Sequence, residues 1–209
     1  MTSPAPDSHI SAADSKKYSQ GVDANSNGML GSFPYVSRVV LQGSKNFLVK
    51  LGIGKVGDEK RVNAEEKAGG RIRRAVYCGA AIGRITEGLL LSVADTFDIV
   101  KPVSKFSNDL KGKAEVGRIW NVGLEEWDFE GKDVHESLTY DLIWNQWCLG
   151  HLTDVQLVLY LRECAKALSE GGWVVVKENM STKDEHCLSR GERLFSVARR
   201  LLEDKTFES

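Results

Sequence analysis

Apolar positions along this chain change period in a regular order. Short runs rich in β-branched and aromatic residues, RAVYCG (74–79), TFDIVK (96–101), RIWNVG (118–123), YDLIWNQ (140–146) and GWVVVKEN (172–179), are bounded by turn residues and read as strands. Between and after them apolar residues recur at helical spacing, which predicts helices over 82–93, 103–113, 153–168 and 189–203. The clearest is the third: Thr153 and Asp154 can cap it, Val155, Leu157, Val158, Leu161, Cys164, Ala165 and Leu168 repeat along it, and Gly171 with Gly172 stop it. Strands alternating with helices imply right-handed crossovers and a mostly parallel sheet covered on both faces, a doubly wound, Rossmann-like α/β domain. Ligands in such a sheet bind beyond the carboxyl ends of the strands, near the switch in strand order. The strand ends here are Tyr77 to Arg84, Lys101, Gly123 to Glu125, Asn145 to Trp147, and Glu178 with Asn179.

The first third of the chain is less regular. Residues 1–12, rich in Ser, Pro and Ala, read as a flexible tail, and 13–209 as a single domain with an N-terminal extension (13–55) and a core (72–209). Within the extension, YSQGVDANSNGMLGSF has glycines and Asx residues that suit a structured loop better than a helix. VSRVVLQGSKNFLVKLGI then shows helical recurrence at Val36, Val39, Val40, Phe47, Leu48 and Leu51, interrupted by Gly43. A charged, glycine-containing connection leads to the core.

Composition narrows the classes. A chain of 209 residues with 42% hydrophobic residues can bury a full core as one domain. A net charge of -1 makes no electrostatic case for nucleic acid or an anionic membrane as partner, and the patch Lys60, Arg61, Arg71, Arg73 and Arg74 reads as a solvated surface. The N-terminus lacks the apolar core of a signal peptide, and no run approaches the ~20 residues of a membrane span, so the cytoplasm, with the nucleus open, is the expected location. Cys78, Cys148, Cys164 and Cys187 show no CxxC spacing; buried reduced thiols are expected, and no metal site.

Candidate chemistry concentrates in three places. Gly79 and Gly83 bracket the turn after the first strand, where a missing Cβ lets backbone amides approach a ligand, although a plain helix entry would look the same. DLIWNQWCLGHLTD (141–154) brings together Trp144, Gln146, Trp147 and His151: two indoles to wall a pocket or fill core, an amide that donates and accepts, and an imidazole that acts as a base or bonds a loop. Glu178 and Asn179 end a buried strand as a polar pair that needs partners.

These stretches, with NGMLGSFPYVSRVVLQGSKNFL (27–48), CGAAIGRIT (78–86), GLEEWDF (123–129), YDLIWNQWCLGHLTD (140–154) and VVVKENM (174–180) in that order, make the chain resemble the eukaryotic protein N-terminal α-amino methyltransferases. The resemblance implies a class I methyltransferase fold that uses S-adenosylmethionine to methylate the α-amine of proteins beginning, after Met removal, with Xaa-Pro-Lys, as ribosomal-protein-like termini do. It implies His151 as general base, Asn179 as the group orienting the incoming N-terminus, and Trp147 as a wall of the substrate channel. Gly79, Gly83 and Arg84 fall in its first cofactor loop, Arg84 answering the methionine carboxylate. Gln146 matches another cofactor contact, and Leu124 with Glu125 border the adenine.

The pattern also departs from the family. Tyr77 stands where an acid ends the first strand, Ala81 replaces the central loop glycine, and Lys101 replaces the acid that accepts the ribose hydroxyls, which an ammonium cannot do. Ser19 stands for a tryptophan and Ser32 for a glycine, and past Met180 the segment is shorter. Ser209 comes before the last two strands that the resemblance implies, which leaves 172–179 as an expected open edge. The departures keep a second reading open: a catalytically impaired methyltransferase-like scaffold that has lost cofactor binding and acts by protein or peptide binding. A third makes Lys101 the partner of a 2′-phosphate on a nicotinamide cofactor.

Overall fold

The computed structural model describes residues 7–22, 34–54, 70–79, 86–129, 138–178 and 195–197. Strands β1 (Ile72–Cys78), β2 (Ala94–Val100), β3 (Val116–Trp120), β4 (Tyr140–Gln146), β5 (Leu168–Lys177) and β6 (Phe195–Val197) form one sheet in the order β3-β2-β1-β4-β5-β6. β1 to β5 are mutually parallel and β6 is antiparallel to β5. The order reverses between β1 and β4, so the crevice beyond their carboxyl ends is where a ligand is expected. Alternation along β1 divides the core: Ala75 and Tyr77 face one side of the sheet, Val76 and Cys78 the other.

Among the described residues, two helices cover the sheet. Helix α2 (Pro34–Lys50) packs on the first face through Val40 and Leu48, with Val39 left exposed, and runs without a break through Gly43, whose missing Cβ borders open space. It ends in a Schellman arrangement: Gly52, at φ 84°, donates to the Val49 carbonyl at 3.1 Å, and Ile53 donates to Leu48 at 2.9 Å. Helix α3 (Asp154–Ala167) covers the second face with Tyr160, Cys164 and Ala167. Its start is a reciprocal cap, Gln156 N donating to Thr153 Oγ1 at 3.3 Å and Thr153 N to Gln156 Oε1 at 2.9 Å.

Several expectations are corrected. Helix α1 spans Ala12–Gly21, so it begins inside the stretch read as a tail and turns Tyr18 to Gly21 into helix where a loop was expected. It buries no side chain, so no apolar stripe announces it. Ser11 starts it, accepting from Asp14 N at 3.2 Å. The span 103–113 is not one helix but two separate 3₁₀ turns, Ser104–Phe106 and Asn108–Leu110. Ser107 there bonds the Ser104 carbonyl through its hydroxyl at 3.0 Å, the local competition that short polar side chains offer to a helix. The predicted helix over 82–93 is a π turn, Thr86–Leu90, continued by one α turn, Leu91–Val93, and residues 80–85 lie outside the described residues.

At the carboxyl end of α3, Leu168 already has extended backbone. Gly171 and Gly172 therefore lie inside β5, near a register shift against β4, rather than stopping the helix. The helix predicted over 189–203 is contradicted at 195–197, where an aromatic and a β-branched residue pair as β6 with Val175 to Lys177. That pairing closes the end of the edge expected to stand open.

Candidate functional site

Strands β1, β2 and β4 each end in a backbone hydrogen bond that aims the next residue at the crevice. Gly79 N donates to the Val100 carbonyl at 3.1 Å, Lys101 N to Trp120 at 2.8 Å, and Trp147 N to Lys177 at 3.0 Å. Gly79 has φ 81°, and a Cβ there would lie 2.0 Å from Cys148 Cβ, so glycine is demanded by the turn and by packing against the β4 end. Trp147 has φ 54°, the one non-glycine residue with positive φ among the described residues, a strained conformation of the kind found at binding sites. The strain is held by its surroundings: Glu178 Oε1 accepts from Cys148 N at 2.8 Å and from Leu149 N at 3.0 Å, clamping the turn that carries Trp147 and His151. Burial raises the Glu178 pKa above its ordinary value, against the pull of those two amides.

Glu178 thus finds the partners that a buried strand end requires. Removing them gives a direct test. Glu178→Ala leaves two turn amides without an acceptor and is expected to cost about 2–4 kcal/mol in urea unfolding. Glu178→Gln, which keeps one acceptor oxygen, should lose clearly less.

A cavity of about 420 Å³ opens at these strand ends. Gly79, Lys101, Gly123, Leu124, Glu125, Trp147, Cys148 and His151 line its floor and walls, and Ala12, Ser15, Lys16, Tyr18 and Ser19 of α1 line it from above. Three polar tethers hold α1 there. Ser15 Oγ and His151 Nδ1 are 3.1 Å apart, Lys105 Nζ donates to the carbonyls of Gln20 and Val22 at 2.6 and 2.5 Å, and Asp154 N donates to Asp7 Oδ2 at 2.9 Å just ahead of the helix. The ammonium of Lys105 sits where the carbonyls at the carboxyl end of a helix favour positive charge. Tyr18 remains 75% exposed at the cavity rim.

Of the sequence-predicted residues, Gly79, Leu124, Glu125, Trp147 and His151 therefore share one cavity. Gln146 stands apart: it is 2% exposed, its Oε1 accepts from Trp144 Nε1 at 3.1 Å, and its buried Nε2 has no partner among the described residues. Trp144 is core. Gly83, Arg84 and Asn179, and with them Ala81 and Ser32, lie outside the described residues. Tyr77 is 1% exposed in the core beneath α2 and does not line the cavity. Sequence reasoning missed Lys16, Tyr18, Cys148 and Ser15, which are brought in by the fold of α1 and by the turn at Trp147. Cys78, Cys148 and Cys164 are free and buried, and burial pushes the Cys78 thiol up to about 12.

The arrangement combines glycine-floored backbone at the sheet switch point, an acidic 3₁₀ turn (Leu124–Glu126), an indole and an imidazole. Its volume falls in the range of small-molecule sites. Gln146 Nε2, buried at the end of β4 outside the cavity lining, has no acceptor among the described residues, and a polar cofactor at that strand end would supply one.

Comparison with known proteins follows the same line. The profile of a family described as AdoMet dependent proline di-methyltransferase matches residues 7–205. The chain is 37% identical over 179 residues to alpha N-terminal protein methyltransferase 1 of Schizosaccharomyces pombe, a match covering 83% of this chain and 73% of that protein. It is 37% identical over 172 residues to N-terminal Xaa-Pro-Lys N-methyltransferase 1-A of Xenopus laevis, covering 79% and 69%. Among solved structures, a SAM-dependent methyltransferase of Leishmania major superposes with a TM-score of 0.61 at 30% identity, over 81% of this chain and 61% of that one. The chain matches between 61% and 73% of the lengths of these proteins.

Proposed function

The chain belongs to the AdoMet dependent proline di-methyltransferase family, and from that premise we propose that it transfers methyl groups from S-adenosylmethionine to the α-amine of proteins whose N-termini read Xaa-Pro-Lys. The observation that carries this reading is the single cavity shared by Gly79, Leu124 and Glu125 with Trp147 and His151. A methyl donor and its acceptor must meet in line within one space, and the cavity brings the residues assigned to both together.

When bound, S-adenosylmethionine supplies an electrophilic methyl group on its sulfonium. The chain's own residues prepare the acceptor. An α-amine with a pKa of about 8 is mostly protonated at neutral pH, and its nitrogen has no lone pair until that proton leaves. Removal of that proton is assigned to His151, whose Nδ1 pairs with Ser15 Oγ at 3.1 Å and which therefore has Nε2 left for the amine. The deprotonated amine would accept the methyl group that the bound cofactor supplies, and the imidazole would hold the amine proton. Trp147 and Tyr18 flank the approach from the surface and offer faces for a proline-containing segment. Asn179, next to the clamp at Glu178, is assigned the orienting of the incoming amine, and Gly83 with Arg84 the carboxylate end of the cofactor. That Tyr77 lies in the core and not in the cavity supports the enzyme over a scaffold without cofactor.

The test is turnover. A Ser-Pro-Lys peptide incubated with the protein and S-adenosylmethionine should gain mass in steps of one methylene, and the N-acetylated peptide should gain none. Equal labelling of both peptides would place the modification elsewhere and overturn the assignment.

A further inference from the structure

Lys101 is where the sequence departs most sharply from an acid that would accept ribose hydroxyls. The residue directly follows β2, is 5% exposed, and lines the cavity beside Gly79, Gly123 and Glu125. Its backbone is fixed, with N donating to Trp120 and its carbonyl accepting from Asn121 Nδ2 at 3.2 Å. The amine lies 4.4 Å from the centre of the Phe106 ring, and among the described residues no carboxylate forms an ion pair with it. A buried ammonium without an anion is poorly stabilised, and burial pushes the pKa of Lys101 down to about 7.

The charged and titratable groups around it do not reverse this. Lys105, whose Nζ lies 4.9 Å from the same Phe106 ring, adds a second cation. Glu125 and Glu126 from the 3₁₀ turn, Lys16 from α1 and His151 from the turn after β4 line the same cavity. Cys148 would favour the ammonium only as a thiolate, and its own burial keeps it a thiol. Position adds the remaining step. A strand end about 20 residues beyond the first glycine turn is where nucleotide-binding sheets meet the ribose hydroxyls. An ammonium brings only donors to those hydroxyls, whereas a neutral amine brings a lone pair as well.

We propose that Lys101 is the ribose-binding residue of this chain's cofactor site and that it engages the hydroxyls as a neutral amine, so that binding expels a proton. The proposal rests on the reading of the cavity as an S-adenosylmethionine site. It makes Lys101 a replacement for the missing acid rather than a mark of lost function, and it makes cofactor affinity rise with pH.

The experiment is calorimetric titration of the full chain with S-adenosylhomocysteine, which carries the same ribose, at about pH 6 and about pH 8, in buffers of different protonation heat. If the neutral amine is the competent form, affinity should be about tenfold tighter at the higher pH, with proton release measured at the lower. Lys101→Met, close in size and untitratable, should bind more weakly than the natural chain at about pH 8 and lose the proton release. Lys101→Glu should bind more tightly than the natural chain at about pH 6, since a carboxylate accepts at both values. A Met variant with unchanged affinity and unchanged proton release would overturn the role of Lys101 while leaving the cofactor reading intact. Absence of binding by the natural chain at both pH values would overturn both, and binding only by the Glu variant would assign the chain to the impaired scaffold.

Discussion

Replacing His151 by phenylalanine should lower kcat for the Ser-Pro-Lys peptide by about 10²–10⁴-fold, the range in which a positioned general base contributes. The ring keeps its place at the cavity wall beside the turn whose amides Glu178 holds, but gives up the hydrogen bond to Ser15, one of the tethers of α1. Because the strand-end residues Gly79, Lys101, Leu124 and Glu125 are untouched and two of the three tethers of α1 remain, S-adenosylhomocysteine affinity should stay within about twofold of the natural chain, and the loss should fall mainly on kcat. Raising the pH should rescue the variant, since more of the amine then arrives already deprotonated. A variant with unimpaired kcat would remove His151 from the reaction. Steady-state rates across pH, with calorimetry as the control, decide between these results.

Gly79→Ala should be the most damaging single methyl group in the described part of the chain. Two costs meet there: a positive φ of 81°, and a Cβ that would stand 2.0 Å from Cys148 Cβ. Left-handed backbone and overpacking each cost about 1–3 kcal/mol, so a combined loss of about 4 kcal/mol is expected in urea unfolding. Gly112→Ala separates the two, because Gly112 has φ 82° and nothing within 4 Å of the missing Cβ. It should lose only about 1–3 kcal/mol, the backbone part. Equal losses at both glycines would mean that the packing of Cys148 against the turn is unimportant.

Legibility in the sequence followed the physics of each element. Strands were readable because β-branched and aromatic runs between turn residues have few other uses, and YDLIWNQ matches β4 residue for residue. Helix α3 was readable because its cap and its apolar spacing agree. Helix α1 was not, since it buries nothing and is held by Ser11, Ser15, Lys105 and Asp7, contacts that a periodicity search does not see. The segment 103–113 misled for the opposite reason: Val103, Phe106 and Leu110 are buried at helical spacing, yet Ser107 and the Gly112 turn at φ 82° break the backbone between and after them.

The site divided in the same way. Trp147 and His151 could be read because they are neighbours in one distinctive stretch just past a strand end. Ser15, Lys16 and Tyr18 reach the same cavity from far along the chain, and only the docking of α1 brings them there. Gln146 kept its place at the strand end but turned its Oε1 to Trp144, leaving one buried donor free among the described residues. Lys101 read as an ammonium because a sequence carries no burial, and burial is what changes its chemistry.

On the proposed reading, one cavity, floored by the strand ends and roofed by α1, receives cofactor and substrate together. Hydrogen–deuterium exchange tests it most directly. S-adenosylhomocysteine alone should slow exchange at the segments holding Gly79, Lys101 and Leu124–Glu126, and adding the Ser-Pro-Lys peptide should extend protection to α1 and to the turn from Trp147 to Leu152. Protection confined to other surfaces, or none in these segments with both ligands present, would contradict it.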